Sequence, residues 1–440
     1  MTDTTPRMPS SVAVDVQSPA FVKAVTELGQ RRAVLTAAPI LNQQGVKLLE
    51  GGVQIDASLY DRLVTHRLAV PLDESVKTDP CVDAAALRQA SEEAVERWPL
   101  FGLMAPPGRV RSMVLQSIQA IPLPAPIAFQ LTLMRETRPA LFEHSVLMAL
   151  LCAHFVREAG ASLQEMTVAA GAGLLHDLGM LHIDAGLLAA ENRLSGDQLR
   201  PLYAHPLTSS MLVARFAQYP KQIARAVLEH HERLDGSGYP RALKGDAISP
   251  LGRMLALGEV VTAMFDGERE RPEQRVSLLL RASPRCFDPA LVPSVHRLLR
   301  ALPASNADAA PALAETIRRL GELGELLARW HAVAAESAAS LEGAARGVLD
   351  AVAEQADTLQ RTLFEAGASA DQLEMLAGAD AESDSGLCSE LAGLAGELQW
   401  QLRSNADQLR RRWRSAVGDT PLPVPIAQWV ESVGALEAAA

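Results

Sequence analysis

The sequence predicts a mainly α-helical protein with a small α+β module near its N-terminus. Hydrophobic residues make up 48% of the 440 residues and aromatic residues only 4%, a profile typical of Ala/Leu-rich helical globular proteins. Long segments after residue 141 have apolar residues at helical spacing, whereas the clearest strand signals are two short apolar runs before residue 51. This length is enough for roughly two to four domains.

Composition excludes several classes of protein. With 41 Lys+Arg against 52 Asp+Glu, the net charge of -11 provides no basic field for a nucleic-acid polymer or an anionic bilayer. The four cysteines lie far apart and form no CxxC pair, which indicates a reducing compartment. No signal peptide and no apolar stretch of about 20 residues is present. We therefore expect a cytoplasmic protein without a membrane span.

Glycine, proline and short polar runs divide the first third of the chain into segments. Residues 1–19 are predicted to be a disordered leader and residues 20–75 the α+β module. In the module, Ala33 to Leu41 and Val46 to Glu50 are predicted to form a hairpin, and Asp56 is a candidate N-cap for the following helix. Residues 76–140 are predicted to form a helical lead-in, with a loop from Pro99 to Gly108.

Successive helices are predicted from residue 141 to the C-terminus. Residues 141–300 form the central domain, in which Ser249-Pro250 reads as a cap followed by a first-turn proline and Pro206 as another first-turn residue. After a linker rich in proline, residues 301–440 are predicted to form a helical bundle or dimerising tail, with a loop near Gly378 to Gly386. Its run from Arg410 to Arg414 is interpreted as a solvated helix face with one packed tryptophan.

Histidines concentrate in the central domain. Seven of the ten lie between positions 144 and 231. Four positions, namely His144, His176-Asp177, His205 and His230-His231, lie on successive predicted helices or at their ends. A helical bundle can bring such positions to one point. Buried imidazoles need partners, and a metal ion provides one for several at once. The candidate ligands are His144, His176, Asp177, His205, His230, His231 and Glu259.

Imidazole and carboxylate ligands favour divalent transition metals over calcium or magnesium. Asp177 is placed to bridge two ions, and an adjacent pair of ions favours in-line attack at phosphorus. The predicted chemistry is therefore phosphodiester hydrolysis, with His176 and Asp177 at its centre. The alternative is a relic site in which the histidines hydrogen-bond one another without metal.

The string HHERLDGSGYP, together with the His176-Asp177 and His205-Pro206 doublets, resembles the HD-GYP family of the HD phosphohydrolase superfamily. The resemblance covers about residues 141–270. It implies an HD-type all-α helical bundle, two or three Fe or Mn ions, and hydrolysis of cyclic di-GMP to pGpG or GMP. It also implies a loop that shapes the substrate pocket and docks a diguanylate cyclase or another signalling protein; its residues are Asp235, Gly236, Gly238, Tyr239 and Pro240.

Three positions depart from the family pattern. Met180 stands where the family usually has a lysine, Glu259 where it has an aspartate, and Ala140 where members with a third metal have a glutamate. Two ions are therefore the predicted maximum. The altered positions keep two alternatives open: a degenerate domain that acts as a cyclic di-GMP receptor or scaffold, and hydrolysis of another nucleotide. His154 and His182 match no motif position and are predicted to be structural.

Overall fold

The computed structural model describes residues 18–188, 199–265, 272–282, 285–302, 313–338, 341–365, 368, 373 and 385–436. Its contacts define two compact units. Unit 1 contains Met1–Gly267 and Pro293–Leu302, and unit 2 contains Glu268–Val292 and Pro303–Ala440. Most of the predicted leader, the linker after residue 302 and most of the predicted loop at 378–386 lie outside the described residues.

The N-terminal part of unit 1 is the α+β module. Helix α1 (Pro19–Arg31) is capped by the Ser18 side chain and buries one face against the module. Strands β2 (Ile40–Leu41) and β3 (Lys47–Leu49) form the predicted hairpin, but β1 (Val34–Thr36) pairs with β4 (Val76–Thr78). The local turn signal therefore identified one pairing, and the other depends on a contact about forty residues away.

Short helices complete the module and lead into the central helices. Asp56 caps a turn of 3-10 helix as predicted, and it precedes α2 (Tyr60–Thr65) and α3 (Leu72–Ser75). The lead-in consists of four helices: α4 (Ala84–Arg97), α5 (Pro99–Met104), α6 (Arg109–Gln119) and α7 (Ala125–Thr137). The loop predicted at Pro99 to Gly108 is wrong in its first half, because Pro99 is a first-turn residue of α5.

Five further helices of unit 1 surround the histidine cluster: α8 (Pro139–Glu158), α9 (Leu163–Leu175), α10 (Leu199–Ala214), α11 (Lys221–Glu229) and α12 (Pro250–Met264). Ser249 accepts a hydrogen bond from Gly252 N and Pro250 is the first helical residue, as predicted. The prediction for Pro206 is wrong, because α10 begins at Leu199 and continues past it. Helix α10 packs on residues 178–182, although Pro206 cannot donate the backbone hydrogen bond of a regular helix.

One described helix, α8, is long and apolar enough to pass a test for a membrane span, with a mean hydropathy of 1.5. Most of that stretch, 72%, is buried inside the structure. The helix packs against α4 to α7, α9 and α12. Burial as the central helix of unit 1 thus accounts for its apolar composition.

Unit 2 is a bundle of helices with its own core. Helix α13 (Pro272–Ala282) packs on it together with α15 (Leu313–Ala338), α16 (Gly343–Glu365), α17 (Ser385–Val417) and α18 (Val424–Gly434). Helix α14 (Val292–Ala301) lies almost wholly in unit 1. The core of unit 2 includes Leu320, Leu323, Leu326, Leu327 and Trp330. Trp413 is buried and donates to Thr420 O at 2.8 Å.

Candidate metal centre

The seven predicted ligands come from five helices of unit 1. His144 lies in α8, His205 in α10 and Glu259 in α12, whereas His176 and His230 directly follow the last residues of α9 and α11. Close packing of α8 on α9 requires Gly173, since a Cβ there would lie 2.7 Å from the Met148 carbonyl group. This contact brings the end of α9, and with it His176, next to His144.

Three of the histidines are fixed in one tautomer by the backbone. The Nδ1 atom of His176 lies 2.7 Å from Gly173 O, that of His230 lies 2.6 Å from Val227 O, and that of His205 contacts Leu202 O. A carbonyl oxygen only accepts hydrogen bonds, so each Nδ1 must carry the proton. In the neutral rings the lone pair is therefore on Nε2, the atom that faces the cluster, as is usual for metal-binding histidines.

These Nε2 atoms converge in two pairs. His144 Nε2 lies 3.2 Å from His176 Nε2, and His205 Nε2 lies 3.1 Å from His230 Nε2. Two neutral rings that both donate through Nδ1 cannot hydrogen-bond through Nε2, as in the second pair. Metal bonds of about 2.1 Å at right angles place neighbouring ligand atoms about 3.0 Å apart. The spacing therefore fits coordination to a shared cation.

Two carboxylates complete the two pairs. Glu259 Oε2 lies 3.1 Å from His144 Nε2 and 3.2 Å from His176 Nε2. Asp177 lies between the pairs, with Oδ2 at 3.5 Å from His176 Nε2 and Oδ1 at 3.1 Å from His205 Nε2. The Oδ1 atom is buried and makes no hydrogen bond of good geometry, although buried carboxylate oxygens are normally satisfied. A cation would satisfy it.

The charges of the site favour a cation as well. Burial alone would raise the pKa of Asp177 and of Glu259, but the neighbouring histidines hold both pKa values below the usual range. Burial lowers the pKa of His176, yet the carboxylates of Asp177 and Glu259 raise it to about 9. Burial and the charges of His176 and His205 lower the pKa of His230 to about 3. Charged carboxylates and a neutral His230 are suitable ligands for a metal, and His176 would release its Nε2 proton when a metal binds.

Among the described residues, three groups of three side chains could each hold a metal ion. Within each group, every side chain offers one ligand atom, and these atoms lie within 4.8 Å of one another. The groups are His144 with His176 and Glu259, His205 with His230 and His231, and His176 with Asp177 and His230. The third group joins the other two. The donor set, the converging Nε2 atoms and the buried oxygen of Asp177 all fit divalent transition metals. Glu259 lies with the first group although the family pattern has the shorter aspartate.

The loop after His231 is folded back onto the cluster. Tyr239 N donates to His231 O at 3.1 Å, and the Tyr239 ring stacks on the His231 ring at 4.6 Å. Gly238 is required there, because a Cβ would lie 2.4 Å from His231 O. Asp235 accepts a hydrogen bond from Ser237 N, Gly236 adopts a positive φ of 80°, and Pro240 is exposed. Of the five predicted pocket residues, Tyr239 thus has a direct contact with a predicted ligand.

Two buried glutamates that the sequence analysis missed hold this loop. Glu232 accepts from Arg241 N and Leu243 N, both at 2.8 Å. Glu229 accepts from the side chains of Arg225 and Arg241 and from Ser249 N. Both carboxylates are fully buried. The sequence offered one sign of this role: Glu229 and Glu232 flank the His230-His231 pair. A charged residue beside a buried pair of histidines is buried with it and requires a partner of its own.

The two histidines predicted to be structural lie outside these groups. His154 is buried, with Nδ1 at 3.4 Å from Met104 O and Nε2 at 3.4 Å from Ser294 Oγ. His182 stacks on Phe21 with ring centroids 4.7 Å apart. Both therefore have packing roles in unit 1. Tyr203 of α10 was also missed; its ring meets Tyr239 edge to face at 4.9 Å.

Comparison with known proteins finds a family model and several relatives similar to this region. Residues 130–291 match the family model described as the HD domain. The chain is 33% identical over 123 residues to 3'3'-cGAMP-specific phosphodiesterase 1 of Vibrio cholerae, a match that covers 28% of each protein. It is 32% identical over 146 residues to the cyclic di-GMP phosphodiesterase response regulator RpfG of Xanthomonas campestris, which covers 31% of this chain and 38% of that protein.

The matches are confined to part of each relative, since this chain spans about 28% and 38% of their lengths. Among solved structures, this chain is similar to Bd1817, an HDG"Y"P protein from Bdellovibrio bacteriovorus. The match covers 62% of this chain and 98% of the Bd1817 chain. Its identity is 14% and its TM-score 0.35, a score too low to support a conclusion about the fold.

Proposed function

Since residues 130–291 match the HD domain family model, we propose that this protein is a metal-dependent phosphodiesterase of the HD-GYP type that hydrolyses cyclic di-GMP to pGpG or GMP. The observation that carries the proposal is the convergence of Nε2 atoms and carboxylate oxygens from His144, His176, Asp177, His205 and Glu259. The similarity to a cyclic di-GMP phosphodiesterase and to a 3'3'-cGAMP phosphodiesterase supports the substrate class.

In the proposed centre, Asp177 joins the two groups of ligands and would hold both ions. The cofactors are two divalent ions, Fe or Mn. Such ions would lower the pKa of a water molecule and stabilise the negative charge that develops at phosphorus. The backbone carbonyls of Gly173 and Val227 orient His176 and His230, so these ligands need no rearrangement when they bind. Tyr239 covers one face of His231 and excludes water there.

The family's usual lysine is replaced by Met180, which is half-buried. Four cations nearby in the sequence are candidates to replace it: Arg193, Arg233, Lys244 and Arg253. Of these, Arg253 is paired with Asp246 at 2.7 Å, Arg233 donates to Glu232 O at 3.0 Å, and Arg193 lies outside the described residues. The methylene groups of exposed Lys244 lie against Gly236 of the loop. Lys244 is therefore the cation best placed to contact substrate phosphate beside the loop.

Met180 favours a second candidate function, a receptor that binds cyclic di-GMP without hydrolysing it. The ligand positions support both functions equally, because a site that binds metal ions and a nucleotide need not hydrolyse the nucleotide. Partner docking through the loop, dimerisation through the C-terminal helices and a cytoplasmic location remain predictions. The site carries the proposal of catalysis independently of them.

Metal content and turnover measured on the same sample test the proposal. The full chain is purified anaerobically, Fe and Mn are counted, and cyclic di-GMP and 3'3'-cGAMP are supplied while products are followed. We expect about two ions per chain and release of pGpG or GMP. His144→Ala should lose metal and activity, whereas His154→Ala, a matched change on the same helix, should keep both. Nucleotide binding without product would establish the receptor instead.

A further inference from the structure

Three aromatic rings form a series that begins at the candidate metal centre. The Tyr239 ring stacks on His231, at 4.6 Å and an interplanar angle of 18°. The Tyr203 ring then meets Tyr239 edge to face, at 4.9 Å and 70°. Tyr203 lies two residues before His205, another predicted ligand. Both tyrosines are half-buried, so each keeps part of its surface within reach of a ligand.

The series is held from both sides. Glu232 fixes the loop through Arg241 N and Leu243 N, which keeps Tyr239 over His231. On the other side, α10 is held against the segment after Asp177 by a hydrogen bond of 2.8 Å from Gly179 N to Ser209 Oγ. The two tyrosine rings therefore form a preorganised aromatic surface beside the predicted ligands, which favours binding because little ordering is needed.

Flat rings beside a phosphodiester site fit one component of a cyclic dinucleotide. Nucleobases stack on tyrosine rings, and this contact is tolerant of base identity because every base has a π-face. We propose that Tyr203 and Tyr239 form a wall that stacks a purine base of the substrate, and that Tyr203 thereby determines the preference for a cyclic dinucleotide over a simple phosphodiester. This inference rests on the proposed function and adds its means of substrate selection.

Two substrates separate base recognition from the metal chemistry. Bis(4-nitrophenyl) phosphate has no nucleobase, and cyclic di-GMP has two. In Tyr203→Ala we expect the Kd for cyclic di-GMP, measured by titration calorimetry, to rise about 5- to 160-fold, which corresponds to the loss of one base stack. Hydrolysis of bis(4-nitrophenyl) phosphate and the metal content should stay within about twofold. Tyr203→Phe keeps the ring and should behave as wild type, and so should Tyr60→Ala, a half-buried tyrosine of the N-terminal module.

The outcomes that contradict the inference are distinct. If Tyr203→Ala lowers the affinity for cyclic di-GMP and the hydrolysis of bis(4-nitrophenyl) phosphate by the same factor, Tyr203 only supports Tyr239 and His231. If the Kd for cyclic di-GMP is unchanged, Tyr203 only packs against its neighbours. Either result overturns the inference while the phosphodiesterase remains. If the wild-type protein hydrolyses bis(4-nitrophenyl) phosphate but does not bind cyclic di-GMP, base selection fails together with the proposed substrate. If it neither hydrolyses nor binds either compound, the proposed function itself fails.

Discussion

Replacement of Glu232 by alanine should release the loop that covers His231. The carboxylate is fully buried and accepts two backbone hydrogen bonds of 2.8 Å, from Arg241 and Leu243. A hydrogen bond to a charged group contributes about 1.5–3 kcal/mol, so the pair contributes about 3–6 kcal/mol. Burial raises the pKa of Glu232, which shows that the charge is costly to bury, and the variant recovers that cost. The expected net loss is about 2–4 kcal/mol.

Hydrogen exchange of the loop measures this loss directly. The chain has two units, so a single free energy of unfolding is not well defined for it, whereas local opening is reported by amide protection. A loss of about 2–4 kcal/mol corresponds to a fall in protection of about 30- to 900-fold at Arg241 and Leu243. Glu232→Gln keeps one acceptor oxygen, so its loss of protection should be smaller than that of Glu232→Ala. Its amide nitrogen faces the other N–H group and cannot accept a hydrogen bond from it, so some protection should still be lost.

An exposed glutamate provides the control. Glu96 lies on the surface of α4, and Glu96→Ala should leave the exchange of the loop unchanged. The kcat/KM for the proposed substrate should fall in Glu232→Ala, because Tyr239 no longer holds its place over His231. Protection of Arg241 and Leu243 within threefold of the wild-type value would refute the reasoning, since the carboxylate would then not be what holds the loop.

Three further predictions concern the metal centre and unit 2. Removal of metal by a chelator should lower the melting temperature, and Mn²⁺ should restore it in His154→Ala but not in His144→Ala, as followed by differential scanning fluorimetry. Burial raises the pKa of Glu397 to about 7, above its unfolded value, so its contribution to stability is present below about pH 4.5 and is lost as the pH rises to about 7. Glu397→Gln should therefore stabilise unit 2 at pH 8 by at most about 3 kcal/mol and have little effect at pH 4.5, as hydrogen exchange of the most protected amides of unit 2 would show; equal effects at both pH values would contradict this. Trp330 is fully buried and Trp400 is 47% exposed. Trp330→Ala should therefore destabilise unit 2 by about 3–5 kcal/mol and Trp400→Ala by less than about 0.5 kcal/mol, as measured by hydrogen exchange of the most protected amides of unit 2.

Local signals predicted the parts of the fold that local physics determines. Asp56 and Ser249 cap the turns that they were expected to cap, because a cap depends on residues within one helical turn. The pairing of β1 with β4 and the continuation of α10 through Pro206 were not predicted. Both depend on contacts with distant segments, and propensity carries no information about those.

The mainly helical fold class and the residues assigned to the candidate metal centre could be predicted from the chain, since the order and spacing of the HD, HP and HHE motifs are properties of its sequence. The tertiary structure was needed to show which nitrogen of His176, His205 and His230 faces the cluster, because backbone carbonyls fix the tautomers. It alone also decided that Glu229 and Glu232 hold the loop and that Tyr203 lies beside Tyr239. Burial and the meeting of separate helices set these contacts, and neither follows from the spacing of residues along the chain.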